Sequence, residues 1–248
     1  MTAKNRISAI VIAGNEERNI ADCLESVAWA DEIVVVDSES IDRTVEIAKR
    51  YTPKVHVRAW EGYAKQKAFA LRAASNEWVL SLDADERVQP RLAGEIAVAD
   101  LDGFDGYWIR RENYFLGRRI RGCGWGRDRQ LRLFRKSRAS VTDRAVHEGF
   151  RVDGNVGTLA GAITHYSYRT LKEAFAKVDA YSTLEAAQKA GRMTVNPFTM
   201  LCAAPCAFLH HFVVRRGFVD GTYGAMVSFM HALTKLQVQM KIWEMRRK

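Results

Sequence analysis

WVLSLDADERV, Trp78 to Val88, carries the decision about the fold. Trp78 to Leu82 is apolar or strand-compatible and runs straight into Asp83-Ala84-Asp85-Glu86, three carboxylates in four positions. A buried strand that stops at such a cluster ends either in a solvated turn or in a clamp for a cation. The flanking sequence decides between them. Upstream, Ile7 to Ala13 reads as an apolar, β-branched strand, Ile20 to Ala28 as a helix and Glu32 to Val36 (EIVVV) as a second buried strand. Thr44 to Arg50 reads as a short helix, Lys54 to Arg58 as a strand and Ala64 to Ala74 as a helix. This βαβαβαβ order implies an α/β fold with a parallel sheet and helices on both faces. Open parallel sheets bind ligands beyond the carboxyl ends of their strands. Asp37 and Asp83 each follow the last apolar residue of a strand, so both carboxylates are expected in one crevice with the loop Gly14-Asn15-Glu16-Glu17.

The chain has 248 residues, 48 % of them hydrophobic, enough for one large domain or a domain with an appendage. A formal net charge of +9 points to an anionic partner without choosing among nucleic acid, a phosphorylated substrate and an acidic membrane surface. Cysteines at 23, 123, 202 and 206 show neither a disulfide framework nor a zinc-type CxxC pair, and Cys202 and Cys206, one helical turn apart in an apolar run, read as packing residues. The N-terminal MTAKNRISAIVIAGNEE has no small-residue cleavage pattern and reads as a strand in a cytoplasmic protein.

From Gly103 to Arg138 arginines mix with aromatic residues, and the glycines at 117, 122, 124 and 126 point to loops over a site rather than to a charged helix. After Tyr166 the chain reads as helical, which sets domains at 1–166 and 167–248. Thr170 to Ala190 has amphipathic spacing with Gly191 as a C-cap. Phe198 to Val214 is almost continuously apolar, with Pro205 in its middle and Arg215-Arg216 behind it. At the short limit for a membrane span, it is read as a core helix or as a helix lying in a membrane interface. Met226 to Met245 is a second apolar stretch, and the chain closes in basic residues.

In an extended segment residues i and i+2 project to one side, so Asp83 and Asp85 both reach a cation while Ala84 turns toward the sheet. Mg²⁺ and Mn²⁺ take carboxylates together with phosphate oxygens and water, so the pair suits a metal-bound diphosphate.

With these motifs in place, the sequence resembles the family 2 glycosyltransferases of GT-A fold. The match lies in IVIAGNEERNI, EIVVVDSESIDRT, GYAKQKAFAL and WVLSLDADERV, in order. It is most similar to the bacterial branch that adds glucose to the heptose inner core of lipopolysaccharide, which also carries an RLFRK-like segment, a later His-Glu and a GFxDG element. Here these are Arg132 to Lys136, His147-Glu148 and Gly217 to Gly221. The resemblance implies a GT-A domain, Rossmann-like with a mostly parallel central sheet, followed by a C-terminal helical, membrane-associating extension. It implies that Ala13, Asn15, Glu16 and Asp37 line the uracil and ribose pocket of a UDP-sugar. Lys65 or Lys67 would neutralise the diphosphate, and Asp83 and Asp85 would hold Mg²⁺ or Mn²⁺, Asp85 being the firmer ligand. Many members carry Thr and Tyr where this chain has Ala13 and Gly14, which leaves the base without an identified stacking partner.

The implied reaction is inverting transfer of a hexose, with one general base at the acceptor hydroxyl. Asp128 is the first candidate, kept ionised by Arg127, Arg129 and Arg132, and Glu148 the second. His147 and His165 would orient an acid or reach the metal, and Glu86 and Arg87 carry no assignment. Arg-rich loops suit a phosphorylated or lipid-linked saccharide acceptor, and the basic C-terminal region suits an anionic leaflet at the cytoplasmic face of the bacterial inner membrane. The donor would be UDP-glucose, UDP-galactose or an N-acetylated analogue, and another polyprenyl- or lipid-linked glycan is the alternative acceptor. Three competing classes fit less well. A haloacid-dehalogenase-type phosphatase places its Asp pair near the first strand, and a pyrophosphorylase needs a basic Gly-rich loop where this chain has Glu16-Glu17. A nucleic-acid or membrane-binding module gives no reason for Asp37, Asp83 and Asp85 to converge, so nucleic acid is not an expected partner.

Overall fold

A computed structural model describes residues 5–98, 101–142 and 149–247. In chain order the first half comprises β1 (Ile7–Ala13), α1 (Ile20–Glu25), β2 (Glu32–Asp37), α2 (Thr44–Ala48), β3 (Val55–Val57), α3 (Tyr63–Ala73), β4 (Trp78–Asp83) and β5 (Glu86–Val88). There follow α4 (Pro90–Val98), β6 (Gly106–Phe115), β7 (Arg118–Arg119), β8 (Arg129–Arg135), β9 (Ala139–Val141), β10 (Phe150–Val152) and β11 (Val156–Tyr168). The C-terminal part holds α5 (Leu171–Lys189), α6 (Pro197–Leu209) with a π turn at His210–Val214, a 3₁₀ turn at Gly217–Asp220, and α7 (Gly221–Met245).

The main sheet runs β3-β2-β1-β4-β8-β6-β11-β5, with β7 paired to β6, and β9 and β10 form a separate antiparallel pair. The β3-β2-β1-β4 half is parallel as the βα alternation requires. From β4 onward the pairings of β8 with β4 and β6, and of β5 with β11, are antiparallel, so the sheet is mixed. The fold is of the expected α/β class, its parallel half extended by antiparallel strands. The Arg- and aromatic-rich segment differs from the expected loops, because much of it is strand: in β6, Tyr107 and Ile109 are buried while Trp108 and Arg110 are exposed. Trp108 and Arg110 on the outward positions, followed at once by Arg111, mask that period-2 alternation in the sequence.

Contacts divide the chain into two compact units, Met1–Arg111 with Arg129–His165, and Glu112–Asp128 with Tyr166–Lys248. In the first unit β1 is buried on both faces, which explains its unbroken apolar run. Ile7, Ala9, Val11 and Ala13 pack with Ile20, Leu24 and Leu92 of α1 and α4, whereas Ile10 and Ile12 pack with Ala70 and Leu71 of α3.

In the second unit Phe115, Ile120 and Cys123 pack with Ala174 and Val178 of α5 and Val227 and Met230 of α7. The Thr170 hydroxyl caps α5 by accepting the Glu173 amide. Buried Asp220 accepts the amides of Arg121 and Gly122 at 3.0 and 2.6 Å, so the GFVDG element is a clamp for the loop that follows β7. Its neighbours must be small: a Cβ at Gly224 would lie 1.8 Å from the Gly217 carbonyl, and one at Gly122 2.2 Å from that of Arg216. His231 stacks flat on His211 at 3.8 Å, and burial, reinforced by the charge of His211, pushes its pKa down to about 3.

A histidine whose pKa is lower in the folded than in the unfolded chain takes up its proton on unfolding. Stability is therefore full above the unfolded value near 6.5 and falls as pH drops toward about 3. Urea unfolding at pH 7.5, 6 and 5 should show the midpoint falling with pH, and His231→Phe should flatten that slope. An equal slope in both proteins would contradict the burial of a neutral His231.

Candidate active site

The ends of the parallel strands build the site. Register pairs Ala13 with Asp37 and Ile12 with Asp83, so the two carboxylates close β2 and β4 on either side of the β1 terminus. Beyond it the loop Gly14–Asn19 is laced to the loop after β2. Asn15 sits in the left-handed region at φ 56°, which Asn tolerates better than most residues. Its amide donates to Ser40 Oγ at 2.7 Å, and its side-chain oxygen accepts the Ile41 amide at 3.0 Å. The Glu16 amide donates to Thr44 Oγ1 at 2.8 Å, and its carboxylate accepts from Asn19. Asp37 is fully buried, with Oδ2 accepting the Ser40 amide at 2.8 Å and Oδ1 the Ser40 hydroxyl at 2.5 Å. Each carboxylate oxygen keeps capacity for a second donor. Buried Gln66 donates to Ser38 Oγ at 3.1 Å and has its own side-chain oxygen unbonded.

The two lysines separate cleanly. Lys65 is exposed on α3 and pairs with Glu61 at 3.0 Å, an ordinary i,i+4 surface pair. Lys67, two residues on, is buried with its Nζ 3.5 Å from Asp83 Oδ1.

The hub of the site is Glu86, which the sequence left without a role. It is fully buried. One oxygen accepts the Asp83 amide at 3.0 Å, and the other receives Arg132 at 2.5 Å and Arg111 at 3.2 Å. Arg132, expected beside Asp128, has its guanidinium on Asp83 at 2.7 Å as well as on Glu86. Burial alone would raise the Asp83 carboxyl, but the charges of Arg132, Lys67 and Arg111 outweigh it and hold it well below the usual carboxylate range. The other missed residue, Arg87, reaches back to Asn19 and Asp22 at 3.2 Å and ties the turn to α1.

Asp85 faces a different neighbour. The antiparallel register of β5 with β11 sets His165 opposite Glu86 and brings His165 Nε2 within 3.4 Å of Asp85 Oδ2. A divalent ion fits this donor set. Asp83 Oδ1 is buried without a hydrogen-bond donor, and Asp85 offers a carboxylate beside an imidazole. No group of three or more His, Cys, Asp or Glu side chains poised for a metal occurs among the described residues. An ion here would therefore complete its shell with ligand oxygens and water, as Mg²⁺ does with phosphates. Charge points the same way: Asp83 and Glu86 are already paired with Lys67, Arg111 and Arg132, so these two carboxylates leave no excess negative charge to recruit a cation on their own.

Asp128 belongs to the second unit, where its Oδ2 accepts from Asn113 Nδ2 at 2.9 Å, at the end of the loop that Asp220 clamps. His147 and Glu148 lie outside the described residues.

A family model described as "Glycosyl transferase family 2" matches residues 8–160. The chain is 31 % identical over 249 residues to a lipopolysaccharide core biosynthesis glycosyltransferase, LpsC, of Rhizobium meliloti, covering 94 % of this chain and 92 % of that protein. It is 33 % identical to an uncharacterized glycosyltransferase of Rickettsia typhi, covering 97 % and 87 %. Among solved structures, S. aureus TarS 1-349 in complex with UDP-GlcNAc matches 96 % of this chain and 82 % of its own at 18 % identity and a TM-score of 0.49.

Replacing Glu86 by Ala removes the shared acceptor of two arginines and one amide. Because breaking one side of a buried ion network costs about 3–5 kcal/mol, urea denaturation of Glu86→Ala should show a loss of that order. A loss under about 0.5 kcal/mol, the size of an ordinary surface substitution, would contradict the hub role.

Proposed function

The chain belongs to glycosyl transferase family 2, and on that premise we propose an inverting, metal-dependent transfer of a hexose, glucose, from a UDP-sugar to a lipid-linked saccharide such as the lipopolysaccharide inner core. The carrying observation is the gathering of Asp37, Asp83 and Asp85 at the carboxyl ends of parallel strands, with Lys67 and Arg132 buried among them. That set suits a nucleoside diphosphate better than any uncharged ligand, because it offers acceptors for a base at one end and cations for phosphates at the other.

In this reading Ala13, Asn15 and Glu16 line the uracil and ribose pocket, and Asp37 accepts the uracil N3 proton through the lone pairs that Ser40 leaves open. Lys67 faces the diphosphate, while Lys65, committed to Glu61 on the helix surface, has the weaker claim. Asp85 and Asp83 would hold Mg²⁺ or Mn²⁺, which would supply Lewis-acid stabilisation of charge on the departing UDP. Asp128 accepts the proton of the acceptor hydroxyl as its oxygen bonds to the anomeric carbon and the bond to UDP breaks on the opposite face. Asn113 donates to Asp128 Oδ2 and so orients the carboxylate. Glu148 is the competing base. The work is done at the cytoplasmic face of the inner membrane, where a lipid-linked acceptor and a soluble nucleotide sugar meet.

Transfer should be screened across nucleotide sugars with Mg²⁺ or Mn²⁺, offering lipopolysaccharide core and polyprenyl-linked glycans as acceptors. UDP-glucose with core acceptor is the expected pair, and no turnover with any UDP-sugar would contradict the reading. Asp85→Ala should bring turnover to background with the fold intact by circular dichroism. Asp128→Asn should lower kcat by about 10²–10⁴-fold, the usual worth of a general base, while UDP binding is unchanged. Near-full activity in Asp128→Asn with loss in Glu148→Gln would transfer the role to Glu148.

A further inference from the structure

The second unit carries a surface that the transfer chemistry does not use. No residue of α6 is buried, although Pro197–Val214 is apolar enough and long enough to cross a membrane. Its half-buried side packs on α7. Its outward side is apolar, the reverse of a helix on a soluble protein. Phe198, Leu201, Pro205, Leu209 and Val213 are all exposed and follow each other at intervals of three or four, which places them in one stripe. Leu201 and Phe198 expose 76 % and 73 % of their surface. Phe208 stacks on Phe212 and Phe212 meets Phe218 edge-on, which ties the π turn to the 3₁₀ turn and adds exposed Phe218 and Val219 to the patch. A contiguous apolar patch of this kind marks an interaction surface.

Charge says what covers it. Arg192 precedes the stripe, Arg215 and Arg216 follow it, and all three are exposed. No Asp or Glu occurs between Arg192 and Val219. We propose that this face is a docking surface for an anionic phospholipid leaflet, with α6 lying in the plane of the interface and its apolar stripe submerged among the acyl chains. A spanning arrangement is disfavoured by the partner helix. To cross the bilayer α6 would have to carry α7 with it, and α7 presents Lys235, Lys241, Gln237 and Glu244, with Lys241 bonded to Asp179, Ser182 and Thr183 of α5. Those groups are costly in hydrocarbon, whereas a flat helix with basic flanks needs only its one apolar face immersed.

The inference deepens the membrane-face location proposed above and rests on it for its place in the cell. Its test needs no substrate, and sugar transfer to a soluble acceptor fragment remains measurable if it fails. The full chain is sedimented with vesicles of phosphatidylcholine alone and of phosphatidylcholine with phosphatidylglycerol. Binding to the anionic vesicles alone, weakened by salt, is expected. Leu201→Asp with Leu209→Asp should lose at least about ten-fold in binding, since each charge opposes insertion of the apolar face. Arg215→Ala and Arg216→Ala, which leave the apolar stripe whole, should each lose about five-fold at low salt. Carbonate should strip the bound protein from vesicles. Retention after carbonate would overturn the in-plane arrangement, and failure to bind either vesicle, or undiminished binding by both sets of variants, would overturn the proposal. A concentration-dependent dimer that the Leu→Asp pair dissociates, without vesicle binding, would assign the face to a second copy instead.

Discussion

A carboxylate buried at the end of a strand has to be neutralised, and the way this chain neutralises Asp83 organises the crevice. Glu86, three residues on, turns back to accept the Asp83 amide and holds Arg132 and Arg111 with its other oxygen. Arg132 then bridges to Asp83 itself, and Lys67 approaches from α3. Four strands and a helix are thereby committed to one electrostatic knot. A network with every charge partnered tolerates burial, whereas a half-satisfied one would not.

The consequence for chemistry is that the crevice is balanced before any ligand arrives. A free cation finds Asp83 already paired with Arg132 and Lys67, and a free diphosphate finds those two buried cations already engaged. Metal and diphosphate together bring charges that offset each other. Within the second unit, Asp220 clamps the loop that ends at Asp128.

Much of the parallel half was legible. Continuous apolar runs at Ile7–Ala13 and Glu32–Asp37 reflect burial on both faces, and acids that end such runs announce a site. The antiparallel half was not, because arginines interrupt the apolar positions of both β6 (Arg110, Arg111) and β8 (Arg129, Arg132, Arg135), and with the glycines between them the segment reads as loops. Glu86 escaped because its partner Arg132 is forty-six residues away and on another strand, a contact that no local spacing reports. The GFVDG element was visible as a motif, but its role as a loop clamp follows only from the approach of Gly217 to Gly224 and of Asp220 to Gly122. For Phe198–Val214, composition left open a core helix or an interfacial one; the absence of any buried residue on α6 removes the first.

Mn²⁺ binding followed by electron paramagnetic resonance, with and without UDP, tests the balanced crevice most directly. Mn²⁺ should bind weakly to the protein alone and at least about ten-fold more tightly when UDP is present, and UDP should gain by the same factor when Mn²⁺ is present. Equal Mn²⁺ affinity with and without UDP, or no binding in either state, would contradict the account.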